Sequence, residues 1–151
     1  IASDEVRRYG LNISKRTRLI EAGQAHPEYG VISPATNNTG NPNQKSRGLG
    51  LRIEPKMVCF VCVFISRRTL KTVGLLDERF TDYSHDDDDY CLRVKRAGLK
   101  IGIFDGCVMD HASLVSTYRE KGPRDMERNR HIFIEKWGRN AWTQAAPGAT
   151  R

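Results

Sequence analysis

Apolar residues recur at helical spacing in four segments of the chain, and each segment is bounded by residues that start or stop helices. Residues 12–25 carry Leu19, Ile20 and Ala22 as apolar positions, and this helix ends before Pro27 because the residue ahead of a proline avoids helical dihedral angles. The other predicted helices are 67–73 (capped by Ser66, ended by Gly74), 84–97 (with Ser84 and Asp87 as a capping box and Gly98 after its end) and 124–137 (ended by Gly138).

Apolar runs of strand length lie between these helices. They predict strands at 29–33, 57–65, 99–104 and 107–109. Residues 57–65 are apolar on both faces, so we expect a central strand that is covered on both sides. Residues 34–50 are rich in Asn, Gly, Pro and Ser and predict a long surface loop, and residues 75–80 predict a turn-rich connection. Strands that alternate with helices indicate an α/β sheet.

The length of the chain supports one domain. With 151 residues, we expect this domain over residues 1–140 and a flexible tail over residues 141–151. No apolar run approaches the roughly 20 residues that are needed to span a bilayer, and no secretory signal pattern stands at the start. We therefore expect a cytoplasmic protein, with peripheral attachment to the inner face of a membrane as the open alternative.

The net charge of +7, from 25 Lys and Arg against 18 acids, favours anionic partners such as nucleotides and phosphate groups. The alternative reading of this charge is simple solubility. Because the basic residues are spread along the chain with few aromatic residues between them, we expect no nucleic-acid partner.

Two of the four cysteines, Cys59 and Cys62, form a C-x-x-C pair. The sequence has no second pair at the spacing of a zinc ribbon. In a strand, residues three apart point to opposite faces, so these two thiols would diverge. We expect buried, inert thiols in a reducing compartment.

Four successive acids, Asp86, Asp87, Asp88 and Asp89 (the acid run), are the strongest chemical feature of the sequence. The positive end of a helix stabilises an acid by about 0.3–1 kcal/mol, which explains one or two of them. Four acids repel one another and raise one another's pKa unless a cation, an Arg or a shared proton compensates. Asp89 stands four residues before Arg93, as in a helical ion pair, which leaves Asp87 to face a cleft. The alternative is helix capping plus solvation.

Six segments follow one another in a recognisable order. They are HPEYGVISP (26–34), FISRRTL (64–70), VGLLDERF (73–80), DDDDYCLR with a later AG (86–93 and 97–98), VMDH (108–111) and FIEKWG (133–138). In order and spacing they resemble the family 2 glycosyltransferases of the GT-A fold, over about residues 1–140. The resemblance implies an α/β fold with a GT-A-like mixed sheet flanked by helices.

The resemblance also implies a reaction. Such enzymes move a sugar from a nucleotide-diphosphate sugar to a hydroxyl group of a saccharide or a lipid-linked glycan. They invert the configuration of the anomeric carbon. Asp87 matches the family's general base, and Asp86 stands where the family usually has Glu. Asp88 and Asp89 would raise the pKa of the base together with Asp86, and Arg93 would hold the cluster through Asp89.

A divalent cation, Mg²⁺ or Mn²⁺, is implied as well. Asp4 and Glu5 stand at the position of the family's metal-binding acids, and His111 matches a histidine that helps to bind the metal or the diphosphate. Oxygen ligands suit such hard cations. Two surface acids and an ordinary histidine at a strand end are the alternatives, and they stay open.

The family's nucleotide-binding βαβ half has no counterpart ahead of Asp4. The resemblance therefore implies a fragment or a half-domain, which would bind the donor poorly and self-associate through an exposed sheet edge. Two other functions stay open. One is a non-catalytic binding or assembly module derived from the fold, and the other is a metal-binding enzyme that uses the acid run.

Overall fold

The computed structural model describes residues 13–37, 39–82, 84–111 and 117–143, with the side chains of the last range from residue 124 onward. These residues form a mixed four-stranded sheet flanked by helices, so the predicted α/β class is confirmed. In chain order the elements are α1 (Ile13–Ala25), β1 (Tyr29–Thr36), a 3-10 turn (Pro42–Gln44), β2 (Leu51–Ile53), β3 (Phe64–Ile65), α2 (Arg67–Val73), α3 (Asp86–Arg96), β4 (Lys100–Met109) and α4 (Thr117–Trp137).

No helix in the described part of the chain has the length and apolar character that a membrane span requires.

The strands lie in the order β2-β4-β1-β3. β1 and β4 are parallel and central, and their pairing runs from Tyr29 opposite Lys100 to Thr36 opposite Met109. The antiparallel strands β2 and β3 form the two edges and have only three and two residues. Because β1 and β4 end at the same side, the segments that follow them meet at one edge of the sheet, which we call the carboxyl edge.

The two faces of the sheet are buried by different helices. On one face, Leu19 of α1 packs with Tyr29 and Ile32. On the other face, Tyr90, Cys91 and Val94 of α3 pack with residues of the central strands, namely Val31, Ala35, Ile101 and Ile103. The neighbours Val31 and Ile32 thus face opposite cores, as the two-residue repeat of a strand requires, and the irregular pairing between Tyr29 and Val31 puts these two residues on opposite faces as well. α4 adds a third cluster, in which Phe133 packs with Phe80 and Leu92.

Helix boundaries follow the predicted signals in most places. The Ser66 side chain accepts a hydrogen bond from the Thr69 backbone at the start of α2, and Gly74 ends that helix at a φ of 89°. Gly98 follows α3 at a φ of 75°. α4 is longer than predicted, since it begins at Thr117 instead of residue 124, and it ends before Gly138.

The prediction of a central strand over residues 57–65 is wrong. Only Phe64–Ile65 pairs with β1, at the edge of the sheet. Side chains satisfy the backbone of the preceding residues instead: the Asn41 amide donates to the Met57 carbonyl at 2.6 Å, and Gln44 accepts from the Cys59 amide at 2.7 Å. These bonds replace a strand ladder, and they explain why Gln44 is fully buried within a predicted surface loop.

Three further boundaries differ from the prediction. Residues 34–36 belong to β1 and not to the loop. The two predicted strands at 99–104 and 107–109 are one strand, β4, whose pairing with β1 jumps from Phe104 to Val108. Asp105 lies inside this bulge, where it accepts hydrogen bonds from Arg52 and from the Leu49 amide. In the tail, Ala141 is buried, and residues 144–151 lie outside the described residues.

The contact between α1 and β3 generates a prediction at Gly23. A Cβ atom added there would lie 2.1 Å from Cε1 of Phe64, so Gly23→Ala should lower the free energy of unfolding by about 1–3 kcal/mol despite the higher helix propensity of alanine. Urea denaturation measures the change. Gln24→Ala, at an exposed position of the same helix, is the control. Adding Phe64→Leu should restore part of the loss, and an additive double variant would contradict the contact.

Candidate active site

The acid run lies at the carboxyl edge of the sheet. α3 precedes β4 and packs beside it, so the start of α3 lies near the end of β4, together with the loop that follows β1. All four acids occupy the first turn of α3. In open α/β sheets this edge is where ligands bind, because loops from several strands converge there.

The turn that leads into α3 has a strained backbone. Asp82, Ser84 and His85 have φ angles of 69°, 77° and 69°, in the left-handed region that costs residues other than glycine about 1 kcal/mol or more each. His85 is the N-cap of α3, and its side chain makes no capping bond. The predicted capping box of Ser84 with Asp87 is therefore wrong, because the Ser84 hydroxyl bonds Nδ1 of His85 at 2.8 Å instead.

α4 holds this strained turn in place. The fully buried Asn129 side chain donates to the Thr81 carbonyl at 2.8 Å and to the Ser84 carbonyl at 2.9 Å. Arg128 donates to the Thr81 carbonyl at 2.7 Å. Two side chains of one helix thus fix the backbone on both sides of the turn, which compensates for its strain.

Asp89 is the structural anchor of the acid run. Its side chain is fully buried, and Arg93 donates to Oδ2 at 3.0 Å, which confirms the predicted ion pair. The other oxygen, Oδ1, accepts from Nε1 of Trp137 at 2.7 Å and lies 2.7 Å from Nζ of Lys136. With both oxygens bonded to partners from α3 and α4 and no exposure to solvent, Asp89 connects the two helices.

Lys136 extends this network to the turn after α2. Its Nζ also lies 2.6 Å from Oδ2 of Asp77, which in turn accepts hydrogen bonds from Arg79. The Arg79 guanidinium, followed by Lys136, holds the pKa of Asp77 far below its usual range. Arg93 donates to the Val73 carbonyl at 2.9 Å, so the same charges also fix the end of α2.

Asp87 has the most perturbed ionisation among the acids of the run. Burial, followed by the charges of Asp88 and Asp86, raises its pKa to about 7. The Asp88 amide donates to Oδ1 of Asp87 at 2.9 Å, and the Phe60 amide also favours the charged form, but these two bonds are outweighed. A partly buried carboxyl group with a pKa near neutrality can exchange a proton at physiological pH, which is the property of a general base.

Asp88 turns toward a cavity between α3 and α4. Burial raises the pKa of Asp88, the nearby His85 lowers it, and Asp86 raises it further. The cavity has a volume of about 200 Å³ and is lined by His85, Asp88, Arg130, Phe133, Ile134, Gly138, Arg139 and Trp142. Asp86 is partly exposed at the start of the helix.

All four cysteines are free. Burial, followed by the charge of Asp87, raises the pKa of Cys59 to about 11, and burial raises the pKa of Cys62 to about 11. At neutral pH these thiols are protonated and therefore poor nucleophiles, as predicted, although both residues are partly exposed and lie outside any strand.

The predicted metal ligands are described only in part. Asp4 and Glu5 lie outside the described residues. His111 follows β4 at the carboxyl edge, where its amide donates to Oδ1 of Asn37 at 2.9 Å. Thr36, also at this edge, has a buried hydroxyl without a hydrogen-bond partner. These donor types suit a hard cation, but within residues 13–143 as far as they are described no three His, Cys, Asp or Glu side chains converge on one point.

The structure therefore divides the predicted residues into two groups. Asp86, Asp87, Asp88, Asp89 and Arg93 lie together in α3, and His111 lies at the end of the adjacent strand. The roles of Lys136 and Trp137 were not predicted from the sequence, although both residues belong to the FIEKWG segment. Asn129 has no local sequence signal, because its partners lie 45 to 48 residues away.

Comparisons of the chain with family models, curated proteins and solved structures give no match. The geometry of the site is therefore the basis for a functional proposal.

The anchoring role of Asp89 generates a stability prediction. Asp89→Asn should lower the free energy of unfolding by about 2–4 kcal/mol, because Arg93 and Lys136 would each lose a buried partner. Asp86→Asn, in the same turn, removes one of the crowded charges and should change stability by less than about 0.5 kcal/mol. Urea denaturation at pH 7 compares the two. Equal losses would show that Asp89 is not a special anchor.

Proposed function

We propose that this chain is the acceptor-side part of a GT-A glycosyltransferase that inverts the anomeric carbon, with Asp87 as its general base. The donor is a nucleotide-diphosphate sugar, and the acceptor is a hydroxyl group of a saccharide or of a lipid-linked glycan. The mixed sheet flanked by helices is compatible with such a fold, and the resemblance of the six segments quoted above supports the family. The acid run lies at the carboxyl edge of the sheet, where α/β sheets bind ligands, and this position supports a ligand site.

One observation carries the proposal: of the four acids, Asp87 combines partial exposure with a pKa of about 7. Asp89 is fully engaged as an anchor, so it is not available as a base. Different roles for neighbouring carboxyl groups are typical of sites in which one acid transfers a proton and the others shift its pKa.

The proposed reaction is a direct displacement. The acceptor hydroxyl attacks the anomeric carbon, an oxygen–carbon bond forms, and the bond from that carbon to the diphosphate oxygen breaks. The hydroxyl proton passes to the carboxylate of Asp87, and the nucleoside diphosphate leaves with the bonding electron pair. One attack from the opposite side inverts the anomeric carbon, so no covalent intermediate on the protein is needed.

A cation, Mg²⁺ or Mn²⁺, stays part of the proposal. When bound, it would neutralise the diphosphate leaving group. His111 is the described candidate ligand, with Asp4 and Glu5 as its proposed companions. Of the acid run, Asp87 takes the proton of the acceptor, and none of the four acids is assigned to the cation.

The first test removes the base. Asp87→Asn should lower the rate of sugar transfer at least about 100-fold, because the amide cannot accept the proton. A panel of nucleotide-diphosphate sugars is offered with saccharide acceptors, and release of the nucleoside diphosphate is measured. Glu21→Gln, on the exposed side of α1 across the sheet, is the matched control and should leave the rate unchanged.

Two outcomes would contradict the proposal. Transfer by Asp87→Asn within about twofold of the unchanged protein would exclude Asp87 as the base. Absence of transfer by a longer protein that joins this chain to a nucleotide-binding half would instead favour the non-catalytic module.

The second test uses pH. The base acts in its deprotonated form, so the rate should rise about tenfold per pH unit below pH 7 and level off above it. Carboxyl-carbon NMR should show Asp87 titrating near pH 7. Asp88→Asn should lower that midpoint, because the charge of Asp88 raises the pKa of Asp87. A midpoint near 4 would contradict the assignment.

The raised pKa also has a consequence for stability. Folding raises the pKa of Asp87 from 3.8 to about 7, so the folded state favours the protonated carboxyl group. The stability that this preference gives is fully present below pH 4 and is lost as the pH rises through 7. Asp87→Asn should therefore be more stable than the unchanged protein at pH 8.5, by about 1–3 kcal/mol after allowance for solvent screening. The difference should shrink toward pH 4. Thermal unfolding at both pH values checks this, and a destabilised variant at pH 8.5 would contradict it.

A further inference from the structure

The cavity between α3 and α4 is lined by residues of both helices, and Asp87, the proposed base, is not one of them. Asp88, the next residue after Asp87, forms one wall, and its neighbour His85 lines the same side. The opposite wall comes from the end of α4 and the turn after it. With a volume of about 200 Å³, the cavity has room for one small ring and not for an extended chain.

Two guanidinium groups face this cavity with little compensation. Arg130 is half exposed and makes only a 3.4 Å contact with Glu127, which is itself half exposed. Arg139 is exposed, and it has no hydrogen bond or ion pair among the described residues. Arginine binds carboxylate and phosphate groups through paired N–H donors, so two arginines at one cavity favour an anionic group there.

The remaining walls suit a ring that carries hydroxyl groups. Phe133 and Trp142 stack with centroids 6.4 Å apart at an angle of 22°, and Trp142 remains partly exposed. The His85 ring lies 5.7 Å from that of Phe133. An aromatic surface packs against the apolar face of a sugar ring, and a carboxyl group such as Asp88 accepts hydrogen bonds from hydroxyl groups.

We propose that this cavity binds one ring of an acidic saccharide, with its carboxylate or phosphate group on Arg130 and Arg139, a hydroxyl group on Asp88, and the ring face on Trp142. The inference rests on the proposed function in one respect, since it makes the saccharide that carries this ring the acceptor of the sugar. The acid on α3 and the arginines on and just after α4 give the ligand an orientation. They direct its anionic group toward α4 and its hydroxyl groups toward α3.

A neutral sugar fits the same cavity less well. Among the described residues it would leave Arg139 without a charged partner and Arg130 with only the exposed Glu127, whereas an anionic group would pair with both guanidinium groups. Hydrogen bonds to charged groups contribute about 1.5–3 kcal/mol each, which corresponds to about tenfold or more in affinity. The structure thus selects among acceptors by charge.

The experiment compares glucuronic acid with glucose as matched probes, and inorganic phosphate as the free anion. Binding is followed by NMR titration of the Trp142 indole N–H, without any donor present. Glucuronic acid should bind about tenfold more tightly than glucose. Arg130→Ala and Arg139→Ala should each remove most of this preference, while Arg16→Ala, an exposed arginine on α1, should leave it unchanged.

Two results would overturn the proposal. Equal binding of glucuronic acid and glucose would remove the charge selection. Inorganic phosphate binding as tightly as glucuronic acid, with no effect of Trp142→Ala, would show a plain anion site. Both arginines are exposed, so their variants should fold, and circular dichroism verifies this.

Failure of this proposal is distinguishable from failure of the proposed function. If glucuronic acid binds as expected but no sugar is transferred at any pH, the cavity is a saccharide site in a non-catalytic module. If transfer depends on Asp87 but glucose and glucuronic acid are equivalent acceptors, the function stands and the charge selection is wrong.

Discussion

The buried carboxylate of Asp89 is the interaction on which the rest of the site depends. It takes Arg93 on one oxygen and Lys136 with Trp137 on the other, and Lys136 continues to Asp77. One charged group thereby joins α3, α4 and the turn after α2. A buried ion network is a weak source of net stability, but it specifies one arrangement strongly, because any other packing leaves a charge unpaired. That specificity fixes the height and rotation of the first turn of α3, and hence the environment of Asp87.

Local signals in the sequence were sufficient for most elements of the fold. Pro27, Ser66, Gly98 and Gly138 act on the backbone next to them, and the helices begin and end close to where these residues place them. The prediction for residues 57–65 failed for the opposite reason. An apolar run predicts that a segment is buried, but it does not predict that the segment pairs as a strand. Here Asn41 and Gln44, which are distant in sequence, form the hydrogen bonds of its backbone instead.

In the candidate site, too, local sequence signals predict only contacts between residues that are close in sequence. The pair of Asp89 with Arg93 follows from helical spacing, and the crowding of Asp87 follows from its neighbours in sequence. The degree to which Asp87 is buried could not be predicted, because Phe60 and the segment around it come from another part of the chain. The cavity beside Asp88 combines α3 with the end of α4, and only the docking of the two helices creates it.

The hold of Asn129 on the strained turn has a consequence for the order in which the protein assembles. Residues 81–85 are made well before α4, and on their own they have no reason to adopt three left-handed conformations. During synthesis the turn therefore lacks these two hydrogen bonds until Asn129, 45 to 48 residues further along the chain, has been made. The scaffold of α1, β1 and β4 can be complete while the site is still open, and partial unfolding of α4 alone would dismantle the site without disturbing the sheet.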